Sequence, residues 1–356
     1  MVEAEELVTA PPLPMKRRVL FGLQDAMHWS GLGYAYVKAR GIDGATILTY
    51  HSVAPPELAT WIDPQSRVDP GAFESSMEFL ARHRSVIALS ELLDLFADGR
   101  TPPAGTVVLT FDDGYIDNAT VVAPILHRLG LPSTWYLPTG MIERGESPWV
   151  DRLYTAFRTR TRHEWSFADG VGGAGGTLDL NDADERLDAY QRLAGMMIEA
   201  AYDDREALLR EVLDRLQPAQ TPPRLILSWD EVREVRRTYP EIDMGLHSTN
   251  HIDLGRFTGE SARAEIEGCV ADLRRELEVS ADHFAFPYDR HSESTREMVR
   301  ANGLRSAMGE GAAPLLDSES DRYAIARVGT PRNSTQLRFW TSGAYPGLSQ
   351  ALLRRA

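Results

Sequence analysis

From residue 45 onward the chain repeats one pattern, a short apolar run that stops at a polar residue followed by an amphipathic segment with helical spacing. The runs are ATILTYHS (45–52), VVLTF (107–111), STWYLPTG (133–140), IDMGLHS (242–248) and DHFAFPY (282–288), with RSAMG and YAIARV later. Between them lie GAFESSMEFLARH (71–83), SELLDLFADG (90–99), ATVVAPILHRLG (119–130), SWDEVREVRR (228–237), ARAEIEGCVADLRREL (262–277) and STREMVRANG (294–303). Ser90 is placed to cap one helix and Gly99 to stop it, Gly130 closes another, and Ser228 with Glu231 has capping-box spacing. Such alternation means parallel strands with helices outside, as a barrel or an open sheet. In both architectures function gathers at the C-terminal ends of the strands.

Two stretches depart from the pattern. Residues 141–225 hold a Gly-rich loop, GVGGAGG (170–176), and a long helical stretch at 183–216 that reads as two helices. This segment is expected to be a helical insertion over one end of the sheet, inside a main domain at 45–345. Residues 1–44 read as an acidic, then Pro-rich tail and an amphipathic helix at 16–39 with basic ends, suited to packing on the domain or to peripheral membrane association.

Charge narrows the function. Lys and Arg number 38 against 52 Asp and Glu, a formal net charge of −14, which argues against a nucleic-acid partner. Cys269 is the sole cysteine, so no intramolecular disulfide ties the fold to an oxidising compartment. No run approaches the roughly 18–20 apolar residues of a membrane span, and the N-terminus lacks the order of a signal peptide. The expectation is a cytoplasmic protein.

The strand ends carry the chemistry. One run ends in His51, the next in Asp112 and Asp113, another in His247 and His251, and another in Pro287 and Tyr288. Adjacent carboxylates at the end of a buried strand repel and lose water unless something positive sits beside them. Two histidines four residues apart and a carboxylate form a frequent ligand set for zinc or another divalent ion. Alone, Asp-Asp-Gly reads as a turn and either histidine as a surface or core residue; their convergence on one rim is what points to a metal.

TFDDG at 110–114 together with HSTNH at 247–251 resembles the polysaccharide deacetylase family, carbohydrate esterases with the NodB homology domain. ILTYHSV (47–53), SWDEVREV (228–235) and FAFPY (284–288) extend the resemblance over roughly residues 45–340. It implies an α/β fold, a distorted (β/α) barrel of seven or eight strands, here with the helical insertion. It also implies a metal-dependent hydrolase acting on a carbohydrate partner, removing acetyl groups from N-acetylated sugar units of a polysaccharide, oligosaccharide or glycoconjugate precursor. Carried over residue by residue, Asp112 is the general base, and Asp113, His247 and His251 hold one divalent metal ion, zinc first, with cobalt, nickel or manganese as alternatives. The backbone N–H of Tyr288, after Pro287, is the oxyanion donor.

The departures from the family matter as much. The C-terminal L-x-H motif is missing, since YAIARVGTPRNSTQLRFW holds no histidine and His291 is the last in the chain. The chain looks like the branch with an early Y-H motif, and His51 is assigned as general acid, with His291 the competitor. Phe284 stands where the family usually has an Arg before Pro-Tyr, which leaves Arg327 as the candidate to orient Asp112. Asp289 stands where Gly is frequent, so the rim of the cleft is expected to differ in shape or charge. Trp229 is read as helix packing, with sugar stacking in the cleft as its functional alternative, and Trp149 and Asp151 as cleft candidates. The alternative activities are an O-acetyl or formyl hydrolase on a carbohydrate or small glycoside, or an inactive carbohydrate-binding homologue.

Overall fold

The structure, a computed structural model, describes residues 43–168, 176–279, 281–310 and 316–343, together with 30–32, 35 and 39. The expected tail, most of the expected helix at 16–39, most of the Gly-rich loop and the boundary at 345 lie outside the described residues.

Strands β1 (Ala45–Tyr50), β2 (Ser85–Val86), β3 (Thr106–Phe111), β4 (Ser133–Leu137), β7 (Ile242–Leu246), β8 (His283–Ala285) and β9 (Ser306–Met308) form one parallel sheet in the order β1-β3-β4-β7-β8-β9, with β2 on β3. β1, β3 and β4 are buried along their whole length. This is why they read as continuous apolar runs and not as alternating patterns. Between them the helices Pro70–His83, Leu89–Ala97, Ala123–Leu129, Trp229–Thr238, Gly259–Leu277 and Glu293–Ala301 cover the outside. Helix Trp229–Thr238 starts at the full capping box of Ser228 and Glu231 that its sequence announces.

The sheet curls and its two edges meet through one segment. Ile325 bridges Met308 of β9, and Val328 bridges Leu48 of β1, both parallel. The Val328 N–H donates to Ile47 O at 2.8 Å, and Thr49 N–H donates back to Val328 O at 2.9 Å. The fold is the curled (β/α) barrel expected. The late strand read over YAIARV is reduced to these bridges, and the pair Ser85–Val86 went unread because two residues carry no periodicity.

Register sets the rim. Tyr50 pairs with Phe111, so His51 and Asp112 leave the sheet side by side, and Leu137 pairs with Leu246. Below the rim Tyr50, Phe73, Phe111 and Trp135 fill the interior with ring centroids 5.4–6.2 Å apart. Such aromatic packing makes the floor of the rim stiff.

Helices Trp149–Arg158, Ala183–Glu199 and Tyr202–Leu216 form a second hydrophobic cluster with β5 (Glu164–Phe167) and β6 (Gly176–Asp179). β5 and β6 form an antiparallel ribbon that the sequence reading of this segment, a Gly-rich loop and two helices, did not include. Its four-residue strands flank the Gly-rich loop, and Trp165 and Phe167 drop into the cluster while Glu164 and Ser166 stay exposed. No described helix is long and apolar enough to cross a membrane.

Candidate active site

The rim gathers side chains from five stations of the barrel. His51 follows β1, Asp112 and Asp113 follow β3, His247 and His251 follow β7, Tyr288 follows β8, and Arg327 sits between the two bridges that close the ring. A cavity of about 440 Å³ opens among them. Its barrel side is lined by His51, Asp112, Asp113, His247, His251 and Arg327, and its other wall includes Trp149, Val150, Tyr190, Ala194 and Ile198. That volume falls in the range of roughly 300–1,000 Å³ typical of small-molecule sites.

The backbone is strained where these side chains are aimed. Among the described residues seven non-glycine residues have positive φ, and five belong here: Asp113 (68°), Ser248 (61°), His251 (53°), Tyr288 (58°) and Asp289 (56°). Such conformations cost on the order of 1–3 kcal/mol each and persist only where the surroundings over-determine them. Gly114, at φ 63°, lets the chain turn away from Asp113; a Cβ there would meet Leu137 Cδ2 at 3.2 Å.

Asp113 Oδ1 lies 3.2 Å from His251 Nε2 and 3.5 Å from His247 Nε2. One ligand atom from each of the three falls within 4.8 Å of the others. The Nδ1–H of His247 donates to Ala285 O at 2.7 Å, which leaves its Nε2 lone pair facing Asp113. Asp113 Oδ1 is buried and has no hydrogen-bond donor. A buried carboxylate oxygen without a donor is costly, and a divalent cation between it and the two imidazoles would satisfy it. The donor set therefore fits a zinc-type ion.

Charge supports that fit. Burial alone would raise the Asp113 carboxyl, but His251 first, then His51 and His247, hold it well below the usual carboxylate range. Burial lowers His247 to about 4, against the opposing pull of Asp112. A carboxylate and a neutral imidazole are the protonation states metal ligands need.

Asp112 is more deeply buried than Asp113 and differently engaged. Its Oδ1 accepts from Arg327 Nη1 at 2.8 Å, and its Oδ2 lies 3.9 Å from His247 Nε2. Burial would raise its carboxyl; Arg327, then His247, outweigh burial and lower it. Arg327 also donates through Nη2 to Asp289 Oδ1 at 2.7 Å, so one buried guanidinium bridges two carboxylates. Asp289 thus stands at a positive φ and takes up the second arm of Arg327.

The other expected residues are distributed as follows. Pro287 and Tyr288 form a single turn after β8, and the Tyr288 ring packs edge-on against His251 with centroids 4.8 Å apart. Burial raises the Tyr288 hydroxyl to about 12. His291 does not line the cavity; its Nε2 lies 2.9 Å from Glu310 O and its ring packs on Phe286. Trp229 does not line it either: it is buried in the barrel's hydrophobic core and its Nε1–H donates to Glu143 at 2.9 Å. The stacking alternative for Trp229 is corrected accordingly, since its ring is packed in the core with its N–H on Glu143. Trp149 reaches the cavity and donates to the Tyr288 hydroxyl at 3.0 Å. Asp151 lies behind it, fully buried and bonded to Tyr115 Oη and the Asp63 N–H. Asp63 and Tyr190, which line the cavity and bond to each other, carried no signal in the sequence.

A parallel curled barrel with an Asp-His-His cluster and a second carboxylate at its C-terminal rim defines a class of hydrolase-like α/β barrels. The polysaccharide deacetylase family model matches residues 99–307, more than half of the chain, and the chain belongs to that family. Among solved structures it is similar to the Streptococcus pyogenes deacetylase PplD in complex with acetate, at 17% identity over 84% of this chain and 98% of that one, TM-score 0.54. It is also similar to IcaB from Ammonifex degensii, at 16% identity over 84% and 97%, TM-score 0.52. A de-N-acetylase from Aggregatibacter actinomycetemcomitans matches at 16% identity over 84% and 100%, TM-score 0.52. No curated protein matches the chain.

Proposed function

We propose that this protein is a divalent-metal-dependent hydrolase that removes the acetyl group from the N-acetyl amine of a sugar unit. The observation that carries the reading is the division of labour between adjacent carboxylates: Asp113 offers a donor-free oxygen to two imidazoles, while Asp112 is turned to a guanidinium. A divalent ion, zinc first, held by Asp113, His247 and His251 would polarise the acyl carbonyl and lower the pKa of a water.

This chain's residues do the rest. Asp112, kept ionised by Arg327, takes the proton of the attacking water. The Tyr288 N–H holds the negative charge that develops on the acyl oxygen. His51 donates a proton to the departing amine; among the described residues it is, besides His247 and His251, the histidine that lines the cavity. The wall formed by Trp149, Val150, Tyr190, Ala194 and Ile198 restricts the site to short sugars or glycosides.

The test is acetate release from N-acetylated mono- and oligosaccharides, with O-acetyl and N-formyl analogues in parallel. Stripping the ion with a chelator is expected to abolish turnover and adding zinc to restore it. Undiminished activity in fully stripped protein sinks the metal-dependent reading.

His51→Gln is expected to keep its zinc and lose about 10²–10⁴-fold in kcat on the amide, the usual size of a general-acid contribution. Hydrolysis of 4-nitrophenyl acetate, whose leaving group departs unprotonated, should be spared. Equal losses on both substrates remove His51 from that role. Arg327→Lys should retain zinc and KM but lose about 10–100-fold in kcat, because an ammonium does not reproduce the fork that spans Asp112 and Asp289. Wild-type kcat in that variant would show that Asp112 is oriented by something else.

A further inference from the structure

Arg205 lies in helix Tyr202–Leu216, outside the barrel, and is only 2% exposed. Among the described residues no carboxylate is within ion-pair distance of it. Burying a cation without a counter-ion is expensive, so what its donors reach is informative. Nη1–H donates to His251 O at 2.7 Å and Nη2–H to Asn250 O at 2.6 Å.

Those two carbonyls are not interchangeable with any other pair. The Asn250 carbonyl lies in the peptide plane that precedes the His251 Cα, and the His251 carbonyl in the plane that follows it. Fixing both planes fixes φ and ψ of His251, and with them the direction of its Cα–Cβ bond. His251 is at φ 53°, a conformation a residue with a side chain adopts only under constraint. From the opposite side Glu265 accepts from the Thr249 and Asn250 N–H groups at 3.0 and 2.7 Å. The turn carrying His251 is thus held by an anion on its N–H groups and a cation on its carbonyls.

The guanidinium is itself rigidly placed. Next to it Glu206 pairs with Arg152 at 2.8 Å, and Leu209, Val212 and Leu216 of the same helix are buried in the second hydrophobic cluster. Tyr202, at the start of the helix, donates to Glu146 at 2.9 Å.

We propose that Arg205 is a positioning residue that sets the His251 imidazole for the ion before the ion arrives, which makes the 183–216 helices part of the metal site and not only a cover over the cleft. The inference rests on the reading of Asp113, His247 and His251 as metal ligands.

The experiment measures zinc affinity of metal-free protein by competition with a chromophoric chelator, in wild type, Arg205→Lys, Arg205→Gln, His247→Ala and, as a control on the exposed face of the same helix, Arg210→Gln. Arg205→Gln is expected to raise the zinc Kd about 10–100-fold, the effect typical of groups that orient a ligand. Arg205→Lys, which reaches one carbonyl instead of two, should fall between it and wild type. Arg210→Gln should bind as wild type does. A folded Arg205→Gln or Arg205→Lys with wild-type zinc Kd and unchanged metal-free melting temperature overturns the inference. Wild-type zinc binding that His247→Ala leaves intact overturns the site reading itself, and is told apart by that variant. Hydrogen exchange on metal-free wild type covers the case in which neither Arg205 variant folds. Protection of the 249–252 amides like that of β7 supports a turn set in advance, and exchange at the rate of open chain overturns it.

Discussion

Replacing Asp113 or His247 by alanine is expected to abolish zinc binding and deacetylation together: metal content should fall from near one ion per chain to background, and kcat/KM at least about 10³-fold, some 4 kcal/mol of transition-state stabilisation. The expectation follows from what each group does in the structure. Asp113 Oδ1 has no hydrogen-bond donor, and His247 Nε2 faces it with its other nitrogen tied to Ala285 O. Beyond the imidazoles and carboxylates of the site itself, neither atom has a partner that would compensate for the loss of an ion. Asp113→Asn refines the test, because Asn tolerates the positive φ of this position and removes only the charge. Without metal this variant should be less stable than wild type, since the folded state holds the Asp113 carboxyl low and so stabilises its anion against the neighbouring histidines. Elemental analysis and thermal denaturation check both halves. One ion per chain retained in Asp113→Ala and in His247→Ala would remove these residues from the site.

Asp112→Asn has the opposite signature. Zinc should stay bound, while kcat is expected to fall about 10²–10⁴-fold, the contribution typical of a positioned base. The substitution keeps the shape of the side chain and its reach to Arg327, but an amide accepts no proton from water at neutral pH. It also leaves Arg327 with Asp289 as its carboxylate partner. Breaking one arm of a buried pair is expensive, so stability should fall by about 2–4 kcal/mol. Metal analysis, kinetics and denaturant unfolding on one preparation separate the roles. Loss of metal in Asp112→Asn with catalysis intact in metal-loaded protein would reverse the assignment of the two aspartates.

Much of the barrel was legible in the chain. β1, β3, β4, β7 and β8 are runs of apolar residues because both their faces are buried. The cap of helix Trp229–Thr238 is written in four residues, Ser228 to Glu231. The rim residues His51, Asp112, Asp113, His247 and His251 could be placed together because parallel strands of similar length end at one level. What escaped had no local signature. The ribbon of β5 and β6 is too short for its alternation to outweigh the Gly-rich loop between its strands. The ring closure at Ile325 and Val328 is made of two isolated bridges, one of them with a strand at the far end of the domain in sequence.

Arg327 and Arg205 show the same division from the side of the site. In the sequence both are arginines among other charged residues, and the segment around Arg205, YDDREALLREVLDRL, reads only as part of a helical stretch. Arg327 was a candidate by elimination alone, because Phe284 left Asp112 without a partner.

By itself the sequence determined the fold class, the level at which the strands end, and the residue types available at that rim, because periodicity, capping and chain direction are local properties. Only the tertiary structure decided which Asp113 oxygen lacks a donor, which guanidinium turns to Asp112, and which cation holds the carbonyls of Asn250 and His251. These are contacts between segments tens to hundreds of residues apart, and burial gives them their strength. Burial depends on the whole packed chain and cannot be read from any one segment of it.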